Sequence, residues 1–190
     1  MNLVIINVYL FLMAIVLALL EIQTEGECGW AKNLPTWRPA SQAWYSKIYA
    51  KIMSGKALTG YHLTLFSFVL MIFHLPFVFG YNITLEHELK NLSLFFLFIV
   101  VWDFLWFVLN PYYRISRFKA EHVWWHKKWL GVVPIDYVGG TIISFLILAP
   151  ILVNGFIMQV IQWWLVNLFL FLMWTLATIL LALFRFSIKH

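Results

Sequence analysis

The sequence predicts an all-α, polytopic integral membrane protein. It reads as five transmembrane helices, N-terminus outside and C-terminus in the cytoplasm, with an amphipathic segment along the cytoplasmic interface. Three observations predict this. The 190-residue chain is 63% hydrophobic and 11% charged, against about 45–50% and about 25% in soluble domains, so it has too few charges to coat a water-facing surface. Apolar runs near the roughly 20 residues that cross a bilayer recur along its length. Twelve of its 13 Lys and Arg residues fall in three polar stretches. An odd number of crossings gathers those stretches on one side, and the positive-inside tendency makes that side cytoplasmic. Four or six spans would each misplace a basic segment.

Residues 1–190 are read as a single membrane domain. The first span, about 3–20, is free of charge, and no Lys or Arg precedes it. With no clean small-residue cleavage site after it, it reads as a retained span rather than a signal peptide. The loop 21–56 follows, carrying Lys32, Arg38, Lys47, Lys51 and Lys56 among Trp30, Trp37 and Trp44. Pro35 and Pro39 break any helix in its first half. Gln42–Met53 is expected to lie along the headgroups, with Trp44, Ile48 and Ile52 turned to lipid.

The second and third spans are placed at about 57–80 and 92–110, joined by the short acidic link Tyr81–Asn91. Pro111 closes the third, because the residue before a proline disfavours the helical region. The loop 112–134 is basic, with Arg114, Arg117, Lys119, Lys127 and Lys128. The fourth and fifth spans, about 137–153 and 160–184, form a hairpin turning at Asn154 and Gly155. Gly139, Gly140 and Ser144 allow close helix contact.

The ionisable residues inside this apolar frame carry the functional reading. Asp103 lies within Phe95–Leu109 as its only charge, about 10 Å below Asn110 at 1.5 Å per residue. A carboxylate there costs several kcal/mol unless paired or hydrated. It shares a helical stripe with Trp106 and Asn110. His62, at comparable depth at the start of the second span, is its expected catalytic partner, with Tyr61 beside it. His122 and His126 stand at helical i, i+4 spacing, which lets two imidazoles reach one ion. With Glu25 and Asp136 they form the expected ligand set for a divalent metal, Zn or Fe, since imidazole suits these better than Mg. Trp30, Tyr61, Trp106 and Asn110 are the expected substrate-binding residues. For each residue a plainer role competes: an interhelical hydrogen bond for Asp103, a satisfied buried histidine for His62, headgroup contacts for His122 and His126, a helix cap for Asp136.

The expected function is an enzyme of the cytoplasmic leaflet acting on a lipid or other apolar substrate, by His/carboxylate acid–base or metal-assisted chemistry. Its surroundings are then the lipid bilayer of a plasma, inner or ER membrane. Assembly through the membrane helices, with itself or with other proteins, stays open. A non-catalytic subunit or scaffold is the alternative, and an ion or proton transporter the third reading. The single cysteine, Cys28, excludes an internal disulfide and a Cys-based zinc site. No phosphate loop, nucleophile triad or nucleic-acid module is present. His74 belongs to the outer half, and no facing span supplies a second histidine for haem.

Overall fold

The computed structural model describes residues 2–113, 115–152 and 157–187. The protein is mostly helical, with five helical stretches long and apolar enough to cross a membrane, the fourth of them Ile135–Leu152 counted across a break. In chain order the elements are α1 (Leu3–Glu25), α2 (Trp44–Ile52), α3 (Gly60–Val78), α4 (Leu85–Leu109), a short hairpin of β1 (Trp129–Leu130) and β2 (Val133–Pro134), α5 (Ile135–Leu146), α6 (Ala149–Leu152) and α7 (Ile157–Ser187).

Helix α4 is the hub. Its buried face of Leu97, Phe98, Trp102 and Leu105 packs against Leu10, Phe11, Ala14, Leu17 and Ala18 of α1, with Val69 and Phe73 of α3 and Phe171 of α7 closing the core. Ala14 and Ala18 are fully buried; small residues let helix backbones approach, which is how packing works where lipid removes the hydrophobic drive between helices. Gly140 does the same for α5: a Cβ there would lie 2.8 Å from Val100 Cγ2 of α4. Gly139 has open space beside it, so the close contact expected of that pair belongs to Gly140 alone.

Several boundaries move from their expected places, each for a local reason. Helix α1 continues past Leu20 to Glu25 and stops at Gly26, whose φ of 62° is left-handed and whose N–H bonds Ile22 O at 2.9 Å. Residues 21–25 are therefore helix, not loop. Helix α3 starts at Gly60, with Thr59 as its N-cap. Helix α4 begins at Leu85, not Leu92: Thr84 accepts the His87 N–H at 3.1 Å as an N-cap, and Glu86 and Glu88 occupy the first turn, where acidic residues complement the helix dipole. The fourth span breaks after Leu146. Pro150 cannot donate to, and its ring clashes with, the carbonyl four residues back, which is that of Leu146. The expected turn at Asn154 and Gly155, and the end of the fourth span at Val153, lie outside the described residues, as does Arg114.

Helix α2 forms within the expected segment and exposes Trp44, Ile48 and Ile52. The segment 26–59 folds back on the bundle end and packs with 111–134. Trp124 Nε1 donates to Cys28 O at 2.9 Å, and Asn110 Nδ2 donates to Gly26 O at 2.8 Å.

Candidate functional site

Both connecting segments and the ends of α1, α3, α4 and α5 converge on one cluster of buried ionisable groups. It has two halves that meet at Asp103.

The first half is an ion-pair knot. His126 Nδ1 lies 2.8 Å from Asp136 Oδ2, and His126 Nε2 lies 3.1 Å from Asp103 Oδ2. Each ring nitrogen faces a carboxylate oxygen. Lys56 Nζ is 2.9 Å from Asp136 and 3.8 Å from Asp103. Tyr137 OH donates a short hydrogen bond to Asp103 Oδ2. Lys56 and His126 are buried, while the Asp103 side chain keeps 28% of its surface exposed. Taking such charges out of water is repaid only when geometry and extra hydrogen bonds are good, and here nearly every partner is in place.

The second half is Glu21, Glu25 and His62, whose ligand atoms all lie within 4.8 Å of one another. Glu21 and Glu25 are one turn apart on α1 and face the same way. His62 sits in the first turn of α3. Thr59 Oγ1 accepts the His62 backbone N–H at 3.2 Å and lies 2.8 Å from its Nδ1. Trp30 stacks on the imidazole at 3.9 Å between ring centroids, and its Nε1 is anchored on Ala57 O at 2.8 Å. Lys56 Nζ lies 4.5 Å from the Trp30 ring centroid, so one indole touches both halves. Glu25 Oε1 accepts the Ala31 N–H at 2.5 Å.

The backbone that brings Trp30 and Ala31 here is strained: both have positive φ, 48° and 50°, a region that side-chain-bearing residues avoid. Gly29, also at positive φ, passes so close to Trp125 that a Cβ would lie 2.4 Å from its ring.

Between the halves lies a cavity of about 10 Å³ lined by Glu21, Glu25, Trp30, His62, Asp103, Trp106, Phe107 and Trp125, about the size of one water-sized occupant. Beneath the site Trp106, Phe107, Tyr113, Val123 and Trp125 form an aromatic layer. Burial pushes the Tyr113 phenol upward, and the Tyr49 phenol likewise. Both are packing groups that stay protonated.

His62 and Asp103, the expected catalytic pair, line this one cavity, although the direct histidine partner of Asp103 is His126. Trp30 and Trp106 line it as well. Asn110 does not: its Oδ1 accepts the N–H groups of Tyr112 and Tyr113 at 2.9 and 3.1 Å, so it caps α4 and ties down the connecting segments. Tyr61 points its hydroxyl to Thr24 Oγ1 at 3.1 Å and meets His62 only edge-on.

The expected metal set of His122, His126, Glu25 and Asp136 is not brought together. Residues 121–128 are not helical. Val123, Trp125 and His126 are buried while His122, Trp124, Lys127 and Lys128 are exposed, a near-alternating pattern that a helix cannot satisfy. His122 is thereby turned to the outside, and both nitrogens of His126 are committed to carboxylates. Glu25 instead joins Glu21 and His62.

Glu21, expected from the sequence to end the first span as a solvated or capping residue, is buried in the site, and Lys56 and Tyr137 are not among the site residues the sequence predicts. The signal for Glu21 was available: Asn7, Ala14, Ala18 and Glu21 fall on the single buried stripe of α1, and Glu25 follows one turn on. For Lys56, one cation among five in its segment, no such signal existed. No protein-family model, curated protein or solved structure matches this chain.

Proposed function

We propose that the chain is a small membrane-embedded enzyme acting on a lipid or other apolar substrate at the cytoplasmic leaflet. The observation that supports this most is Asp103. It is a carboxylate partway along an apolar helix, locked by His126, Lys56 and Tyr137, yet part of its side chain stays accessible beside a cavity with two further carboxylates and an imidazole. Structural cross-linking of helices needs one hydrogen-bonded pair; burying this many ionisable groups is costly and is the habit of catalytic sites.

In this reading Asp136 orients His126 through Nδ1, and His126 passes a proton to or from Asp103 through Nε2. Asp103 is the acid or base that meets the substrate's polar group, and the Tyr137 hydroxyl stabilises its charged form. Such positioned proton transfer contributes about 10²–10⁴-fold. An apolar groove of about 330 Å³ lined by Thr141, Ile142, Phe145, Ile161, Trp164 and Leu165 lies between α5 and α7. It begins one helical turn beyond Tyr137 and offers an acyl or isoprenoid chain a bed close to the site. The basic segments packed at this end fit a cytoplasmic orientation.

The test is a lipid profile by mass spectrometry of membranes from cells expressing the wild-type chain, Asp103→Asn or His122→Ala. A product present with wild type and His122→Ala and absent with Asp103→Asn supports an enzyme; identical profiles from all three oppose it. The competing reading is a non-catalytic subunit, and it draws on the exposed Trp37, Trp44 and Trp124 at this end, since tryptophan is enriched in interface hot spots. Identical lipid profiles together with a stoichiometric co-purifying protein favour that reading.

A further inference from the structure

We infer that Glu21, Glu25 and His62 form a binding site for one divalent transition-metal ion, with zinc the best match. The inference stands on geometry and holds whether or not the protein is an enzyme.

The decisive feature is that this half of the cluster is under-partnered. Glu21 is 8% exposed, and its carboxylate forms no hydrogen bond or ion pair among the described residues. Trp102 Nε1 faces it from α4 without a hydrogen bond of its own. His62 is 2% exposed, and its Nε2 lies 3.4 Å from Glu25 Oε1 without forming a hydrogen bond. Charge-assisted N–H···O contacts close to about 2.7–2.9 Å; two ligands on one tetrahedral ion, each about 2.1 Å from it, stand about 3.4 Å apart. Buried polar groups are otherwise almost always satisfied, so a carboxyl group and an imidazole nitrogen without hydrogen bonds on the same cavity point to a shared cation.

The supporting contacts are those of a built site. Metal-bound histidines almost always have the other ring nitrogen held by a hydrogen bond, and Thr59 Oγ1 holds Nδ1 of His62. Trp30 fixes the ring plane by stacking. The Ala31 N–H fixes one oxygen of Glu25. Closing three ligand atoms now within 4.8 Å of one another onto a common ion asks for inward shifts of roughly 1 Å at ordinary Zn–O and Zn–N lengths.

A mixed imidazole–carboxylate set selects zinc, iron or manganese over magnesium, which prefers oxygen alone. Three protein ligands leave a fourth position open, the arrangement of catalytic rather than structural zinc. Trp106, whose Nε1 is buried without a partner, lines the same cavity as a ready donor to an oxygen held there.

The experiment uses the full chain purified in detergent with a tag that contains no histidine, and measures bound metals by mass spectrometry after equilibration with zinc and desalting. The expected result is close to one zinc per wild-type chain. It falls at least tenfold in Glu21→Gln and in His62→Gln and is unchanged in His122→Ala. Glu21→Gln keeps the side-chain shape, and helical circular dichroism matching wild type shows that it is folded. A wild-type protein that retains no zinc, iron or manganese overturns the inference. So does a stoichiometry that survives both substitutions in folded protein, or one lost with His122→Ala.

Discussion

The two halves of the polar cluster contain similar groups and differ in how they are satisfied. In the knot of Lys56, Asp103, His126, Asp136 and Tyr137, each basic group has a carboxylate within 4 Å and the tyrosine has an acceptor. In the triad of Glu21, Glu25 and His62, only one oxygen of Glu25 and one nitrogen of His62 have hydrogen-bonding partners. The comparison teaches that charge density alone does not mark a ligand site. The knot finds its partners among protein groups, Asp136 Oδ1 excepted, whereas the triad turns groups without hydrogen bonds toward a shared cavity.

The comparison can be broken most forcefully at Lys56. In Lys56→Met, Asp136 and Asp103 lose their ammonium partner while staying in the bundle. Removing one member of a buried pair costs about 3–5 kcal/mol, to be read as a loss of that order in reversible unfolding in mixed micelles. A loss under about 1 kcal/mol, the range of surface pairs, would mean the knot is solvated. The triad responds differently. Adding zinc to about 100 times its dissociation constant stabilises the wild type by about 2.7 kcal/mol through linkage, seen as a rise in melting temperature. Glu21→Gln shows no such rise, and a rise of equal size in that variant removes the distinction between the halves.

Asn110→Ala sharpens the boundary between site and support. It forfeits the bonds to Gly26, Tyr112 and Tyr113 and costs about 1–3 kcal/mol in the same unfolding assay, yet leaves zinc stoichiometry intact. Loss of metal there would make Asn110 part of the site. The smallest effect belongs to the far end, where His74 and Glu88 pair at 2.9 Å but remain part-exposed. Glu88→Gln changes stability by at most about 1 kcal/mol, and a larger loss would show that buried polar chemistry is not confined to one end.

Much of this frame was legible in the sequence because membrane spanning is written in long, redundant signals. Eighteen or more apolar residues survive errors of several positions at either end, and α1 and α4 were recognised even though their ends moved to Glu25 and Leu85. The convergence of His62 and Asp103 was readable because both lie near the ends of spans that the charge pattern puts on one side. What escaped was set by short segments. Whether His126 points inward depends on the backbone of residues 121–128, and two histidines four apart look helical until burial of Val123, Trp125 and His126 is met by a course of turns and irregular backbone instead. Lys56 was invisible because nothing local distinguishes it from Lys47 or Lys51; its burial comes from Gly55, at φ 92°, and from the fold-back of 26–59. Glu21 at the end of the first span reads as solvated or capping until the buried stripe leading to it from Asn7 is followed.

The most direct test of the central claim is X-ray absorption at the zinc edge on the loaded protein. The account predicts a single imidazole and otherwise oxygen ligands, at about 2.0–2.2 Å. A shell with two or more imidazoles, or with sulfur from Cys28 at about 2.3 Å, would contradict it.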